Sequence, residues 1–254
     1  MKVIEFKEVS FRYFSPSKET EALKNVHFQV TEGEMVSIVG PSGCGKSTLL
    51  SLISGMAFPS QGEVKLFNNK VKEPSHRVGY MLQHDHLFPW RDILSNLLLG
   101  AQIRKMDVNE AKKRALYLLE KYGLGDFAHF TPGQLSGGMK QRVALIRTLV
   151  VQPDMLILDE PFSALDYQTR LRLSDEIWHI IRDQKKTAVI VTHDLSEAIA
   201  MSDRVLVMSK RPGTIKSEHL IHFAGKRPSP LQVRQQSDYQ EYFNDIWKEL
   251  DGDE

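Results

Sequence analysis

The sequence predicts an α/β fold built on a mainly parallel sheet. Three observations carry this. Short β-rich runs alternate with longer helical ones along most of the 254 residues. Several runs, such as 187–192, are apolar almost throughout, as strands buried on both faces are. A glycine-rich loop, 40–48, stands between one such run and a helical segment.

Each element follows from its residues in chain order. The opening run, Met1-Lys2-Val3-Ile4-Glu5-Phe6-Lys7-Glu8, alternates charge and bulk. It predicts an edge strand over 3–6 and lacks the apolar stretch of a secretory leader. Further strands are predicted over 26–30, 35–39, 63–67, 78–82, 155–158, 187–192 and 204–208, where aliphatic and β-branched residues concentrate. Helices are predicted over 47–54, 109–122, 137–150, 166–183, 195–201 and 239–250. In the fourth, Leu173, Ile177 and Ile180 repeat at helical spacing, with Arg170, Arg172 and Arg182 elsewhere on the wheel. In the last, Tyr242 or Phe243, Ile246, Trp247 and Leu250 form a stripe that predicts docking on the core. The stretch 84–131 breaks the alternation. It has no convincing strand and at least one long helix, and reads as a helical insertion. Beyond Arg211 come two short β runs, 214–216 and 219–223, then a Pro-containing linker and the final helix.

Composition narrows the class. Basic side chains number 33 against 32 acidic ones, a net charge of +1, so the strong basic field of a nucleic-acid binder is missing. With 41% hydrophobic and 26% charged residues the chain is ordinary globular material, large enough to bury a core without staples. A single cysteine excludes an internal disulfide framework and a Cys-rich zinc site. No apolar run approaches the roughly 18 residues of a membrane span. The expectation is a soluble, cytoplasmic protein with one core.

Two motifs then point to chemistry. Gly40-Pro-Ser-Gly-Cys-Gly-Lys46-Ser47-Thr48 fits G-x-x-x-x-G-K-[ST] and sits between strand and helix as the motif requires. Gly43 and Gly45 let successive N–H groups turn toward phosphate oxygens, and the following helix adds its positive end. Lys46 is placed to reach the β- and γ-phosphates, and the Ser47 hydroxyl to ligate Mg²⁺. The binding set expected here is Gly40, Ser42, Gly43, Cys44, Gly45, Lys46, Ser47 and Thr48, with Cys44 a small packing residue. The second motif is the apolar run Met155-Leu-Ile-Leu158 ending in Asp159-Glu160, which delivers two carboxylates to the ligand edge of the sheet. Asp159 would support Mg²⁺ and Glu160 would act on the attacking water as general base.

A further run, Leu135-Ser136-Gly137-Gly138-Met139-Lys140-Gln141-Arg142, offers a second phosphate-binding device: Ser136 as a cap and two glycines baring N–H groups at a helix start. One nucleotide does not need two such devices, whereas a dimer does, with the Ser136–Gly138 edge of one copy closing over the loop of another. These motifs, in this order, resemble the ATP-binding cassette subunits of ABC transporters, and the likeness covers nearly the whole chain. The resemblance implies a P-loop NTPase core with an N-terminal antiparallel β subdomain and an inserted α-helical subdomain. Core and β subdomain would take 1–83 and 132–210, the helical subdomain 84–131, and a tail 211–254.

The resemblance also implies residue roles. Tyr13 is similar to the aromatic that stacks on adenine. Gln83 resembles the glutamine that reaches Mg²⁺ and the attacking water. Ser163-Ala-Leu-Asp166 resembles the loop at the dimer interface, and His193 the switch histidine at the γ-phosphate. Met139 departs from the usual glutamine of the signature run, a change that a backbone-mediated contact tolerates. Asp194-Leu-Ser-Glu197 reads as a capping box. The implied activity is ATP hydrolysis with Mg²⁺, in a homodimer of cassettes bound to transmembrane permease subunits at the cytoplasmic face of the membrane. An extracytoplasmic solute-binding protein would be an indirect partner and nucleic acid none. The run Leu87-Phe-Pro-Trp-Arg91, the Gly138-Met139 pair and Arg211-Pro-Gly213 are similar to the importer branch for nitrate, sulfonates, taurine and thiamine precursors. Phe88, Pro89 and Trp90 would dock the permease, or Trp90 would pack the insertion's own small core. An exporter cassette, or a cassette ATPase acting on DNA or ribosomes, is the alternative use; the short interval from Ser47 to Leu135 counts against the latter.

Overall fold

The computed structural model describes residues 1–15, 18–163, 165–225 and 227–251. Two long strands open it, β1 (Lys2–Ser15) and β2 (Lys18–Thr31), followed by β3 (Met35–Val39), α1 (Lys46–Ser54), β4 (Gln61–Leu66), β5 (Asn69–Lys70) and β6 (Val78–Met81). Helices α2 (Ile93–Ile103) and α3 (Val108–Lys121) and two 3₁₀ turns lead to α4 (Gly137–Val150). Then β7 (Met155–Asp159), α5 (Tyr167–Asp183), β8 (Thr187–Val191), α6 (Leu195–Met201) and β9 (Arg204–Met208) alternate. The chain ends with β10 (Ile215–Leu220), α7 (Pro230–Val233) and α8 (Tyr239–Asp251).

These form two sheets. An antiparallel sheet has the order β2-β1-β4-β5, and a six-stranded sheet the order β10-β9-β3-β8-β7-β6. In the larger sheet β9, β3, β8, β7 and β6 are parallel and β10 is antiparallel at one edge. Every residue of β3 and β8 is buried, which explains why their sequences are apolar without alternation. The register pairs Ile38 with Val191 and Asp159 with Val191, so the C-terminal ends of β3, β7 and β8 lie side by side. That alignment brings the segments after three strands to one crevice.

One apolar cluster joins the larger sheet to α2, α3, α4 and α5, a second fills the space between the two sheets around α1, and a third lies under α6 and α8. Leu173, Ile177 and Ile180 are buried in the first, as their spacing predicts. In the third, Ile246 is fully buried while Tyr242, Phe243 and Leu250 are half-buried; Trp247 remains 53% exposed and stands mostly outside the docked stripe.

Four expectations need correction. The N-terminal strand is not an edge: β1 lies between β2 and β4, and the charges alternating along it reach solvent from one face. The two short runs after Arg211 are one strand, β10, whose alternating burial reflects its edge position. The strands expected over 3–6 and 26–30 are cores of much longer ones, extended through polar residues by hairpin pairing from Lys2↔Thr31 to Ser15↔Lys18. In the insertion, the Leu-rich 93–103 segment is a helix that sequence periodicity left unplaced, because it is apolar around most of its circumference.

Candidate functional site

The loop after β3 wraps as its glycines demand. Gly43 and Gly45 have φ of 75° and 114°, in the region that L side chains rarely adopt. A Cβ on Gly45 would also stand 2.7 Å from Leu23 Cδ2 and 3.1 Å from the Ala22 carbonyl, so the space there is tight as well. Lys46 is 9% exposed, and its ammonium donates to the carbonyls of Gly40 and Pro41 at 2.7 and 3.1 Å. Cys44 is buried beneath the loop, in keeping with a packing role. A cleft of about 330 Å³ opens over the loop, lined by Tyr13, Ser42, Gly43, Gly45, Lys46, Ser47, Thr48, Glu160 and Arg211. Tyr13 stands at its rim, half exposed, with its hydroxyl 3.1 Å from Thr48 Oγ1 and its ring edge-on to Phe11.

The acidic strand end meets this cleft. Glu160 carries a left-handed φ of 45°, and its N–H donates to the Val191 carbonyl at 2.8 Å, pinning the turn after β7 to β8. Its Oε2 accepts from Gln83 Nε2 at 3.0 Å and lies 3.3 Å from His193 Nδ1. Gln83 Nε2 is also 3.3 Å from Ser163 Oγ, whose hydroxyl donates to the Glu160 carbonyl. Asp159 accepts from the Tyr80 hydroxyl at 3.1 Å. Burial pushes the Asp159 carboxyl above its ordinary range; the Tyr80 bond opposes this and the adjacent Glu160 charge adds to it. Burial, with that same aspartate, raises the Tyr80 phenol.

The structure therefore gathers Tyr13, the 42–48 loop, Asp159, Glu160, Gln83 and His193 around one crevice. It does not bring Ser136, Gly137, Gly138 or Asp166 there. Ser136 caps α4 by accepting from Met139 N at 3.3 Å, and Ser136 and Gly138 line a separate hollow with Met139, Arg142, Thr169 and Arg172. Asp166 caps α5 by accepting from Thr169 N at 3.1 Å; the Thr169 hydroxyl first, and then this amide, lower its pKa. Ala164, inside the Ser163–Asp166 run, lies outside the described residues.

One local reading changes. Asp194 caps α6 by accepting from Ser196 N and Glu197 N, but Glu197 does not return to the Asp194 amide. The Thr192 hydroxyl takes that amide, at 3.0 Å, and donates to Glu197 at 2.7 Å. The box is relayed through a third side chain. Arg170, 2.8 Å from Asp194 and 3.7 Å from Glu197, ties α5 to the segment carrying His193. Sequence reasoning placed neither Arg211, Tyr80 nor Ser163 at this cleft: Ser163 stood only in a run likened to the dimer-interface loop, and Arg211 only in one likened to importers. The regular strand spacing from Gly79 to Met81 could have flagged Tyr80 as a neighbour of Asp159; nothing in the sequence signals the other two contacts.

Residues 23–163 match the model of the family described as "ABC transporter". The chain is 45% identical, over 98% of its length and 96% of the relative's, to the uncharacterized ABC transporter ATP-binding protein YtlC of Bacillus subtilis. The chain belongs to the ABC transporter family. With that membership comes its enzyme class, a transport-coupled ATPase. The cassette is also 42% identical to the taurine import ATP-binding protein TauB of Yersinia pseudotuberculosis, over 80% of this chain and 79% of that one. It is 41% identical to the nitrate transport protein NasD of Klebsiella oxytoca, over 86% and 84%. Its fold superposes with a TM-score of 0.73 on the ATP-binding cassette MJ0796, solved as a dimer in a post-hydrolysis state bound to ADP and Pi. That match has 33% identity and covers 87% of this chain and 99% of the other.

Proposed function

We propose that this cassette is the ATP-binding and hydrolysing subunit of an ABC importer for a small solute of the nitrate, sulfonate, taurine or thiamine-precursor type. The observation that carries the reading is the convergence of Gln83 and His193 on one oxygen of Glu160 beside the glycine-loop cleft. Adenine stacks on Tyr13, and the phosphates lie along the N–H groups of the 42–48 loop with Lys46 at their far end. Glu160 accepts a proton from water as the water oxygen bonds to the γ-phosphorus. The bond from that phosphorus to the β–γ bridging oxygen breaks, giving ADP and phosphate. Gln83 holds the carboxylate in place, and His193 donates toward the γ-phosphate oxygens.

The donor set suits Mg²⁺. Its protein ligands would be oxygens, the Ser47 hydroxyl with Asp159 and Gln83 close by. Among the described residues no cluster of three or more His, Cys, Asp or Glu forms a cage of its own, which fits a small cation that takes its remaining ligands from phosphates and water. When bound, the ion neutralises charge along the phosphate chain.

A second copy completes the site. The Ser136–Gly138 helix start lines a hollow apart from its own chain's cleft, and its capping hydroxyl and the N–H groups of exposed Gly137 and half-buried Gly138 suit the phosphates held by another copy. The dimeric state of the MJ0796 cassette supports this arrangement. Permease contact falls to the 84–92 loop. Trp90 is 75% exposed and tilts against Phe88, so it does not fill the insertion's core. The loop beneath is stiff: buried Asn96 bonds to Phe88, Arg91 and Asp92, and Arg147 of α4 donates to the carbonyls of Asp85 and His86 at 2.7 Å. It thus links Gln83 to a surface patch and to the helix that Ser136 begins. Among the described residues no helix is long and apolar enough to cross a membrane. The cassette attaches peripherally, at the cytoplasmic face. Reconstitution with permease subunits and a solute-binding protein of the nitrate or taurine importer type tests this. ATP-dependent uptake of nitrate, a sulfonate, taurine or a pyrimidine precursor is expected; no uptake of any, with ATPase activity indifferent to the permease, would contradict it.

A further inference from the structure

The loop between β9 and β10 is built against the glycine loop. Ser209 and Thr214 close its base through three hydrogen bonds of 2.9 to 3.1 Å. Gly213 N donates to the Ala22 carbonyl at 2.9 Å, and Lys24 N donates to the Gly213 carbonyl at 3.0 Å, stitching the loop to β2. Gly213 also lies so close to the Cys44 carbonyl that any Cβ there would collide with it. Thus the segment carrying Arg211 is fixed on two sides, by β2 and by the phosphate loop itself.

Arg211 extends from this clamp along the loop into the cleft. Its Nε donates to the Gly43 carbonyl at 3.2 Å, and Nη2 stands 3.7 Å from where a Cβ on Gly43 would be. Of the residues lining the cleft, Lys46 and Arg211 are the cations and Glu160 the anion. The Lys46 ammonium is folded onto two loop carbonyls, so a polyphosphate entering here meets a second fixed positive charge. A guanidinium held through Nε keeps its Nη pair for a planar, charge-assisted contact to phosphate oxygens.

We propose that Arg211 is a nucleotide-binding residue, a second cationic ligand of the phosphate chain supplied from the β9–β10 loop. This rests on the ATP reading of the cleft. The test is equilibrium binding of MgATP and MgADP to wild type, R211Q, R211K and K46A at low and high salt. R211Q is expected to bind both nucleotides about tenfold more weakly at low salt, with a flatter salt dependence, and R211K to recover part of the affinity. A folded R211Q within twofold of wild type, while K46A loses binding, would overturn the role of Arg211 alone. Weaker binding with unchanged salt dependence would make Arg211 a prop for Gly43 and overturn it too. Equal binding by K46A and wild type would overturn the ATP reading and this assignment with it.

Discussion

The carboxyl of Glu197 accepts a hydrogen bond from Thr192 at 2.7 Å, one residue from His193, in a site that leaves Glu197 almost no exposure. Burial pushes its pKa up to about 7; the Thr192 bond and the nearby Arg170 and Arg234 charges oppose this, and Asp194 adds to it. Because the folded pKa lies above the unfolded one, this group's contribution is fully present below about pH 4.5 and is lost as pH rises through about 7. E197Q, neutral throughout, escapes that loss. Its stability relative to wild type should rise by up to about 3 kcal/mol between acidic and mildly alkaline pH, read by urea unfolding at each pH. Parallel pH profiles would contradict the burial argument.

The exposed ring of Tyr13, set at the cleft rim, should contribute through its face more than its hydroxyl. Y13F is expected to bind MgATP within about twofold of wild type. Y13A should lose roughly 1–3 kcal/mol, as base–aromatic stacking does. Fluorescence titration with a labelled nucleotide checks this.

Trp90 touches neither the cleft nor the Glu160 cluster, so W90A should leave the ATPase rate of the isolated cassette unchanged. Recruitment to permease-containing vesicles should fall at least about fivefold, since losing an aromatic hot spot costs about 1 kcal/mol or more. Sedimentation with the vesicles measures it.

Gly213 has no room for a side chain against the Cys44 carbonyl. G213A must displace either β2 or the glycine loop, so a loss of thermal stability on the order of 1–3 kcal/mol is expected, together with weaker nucleotide binding. A melting curve and a binding isotherm on the same preparation read both.

What was legible in the sequence was local. The glycine loop, the Asp159-Glu160 strand end and the Ser136 cap each lie within a few residues, so their chemistry is written in order. Gln83 could be placed beside Glu160 only by resemblance, because 77 residues separate the two and the pairing of β6 with β7 that joins them is not written locally. The capping box at Asp194 misled because the rule compares two positions, and Thr192, outside the pair, competes for both groups. The Leu-rich α2 gave no period because both its faces are covered. Arg211 stood in a run noticed for its likeness to importers, yet only the Gly213 stitching to β2 turns that run toward the nucleotide cleft.

In the proposed reaction Glu160, held by Gln83 and facing His193, activates water for ATP hydrolysis. Steady-state ATPase of E160Q measures it most directly, with size-exclusion chromatography in MgATP run alongside. The rate should fall at least about 100-fold, as loss of a general base does, while an ATP-dependent dimer persists. Turnover within a few-fold of wild type would contradict this role.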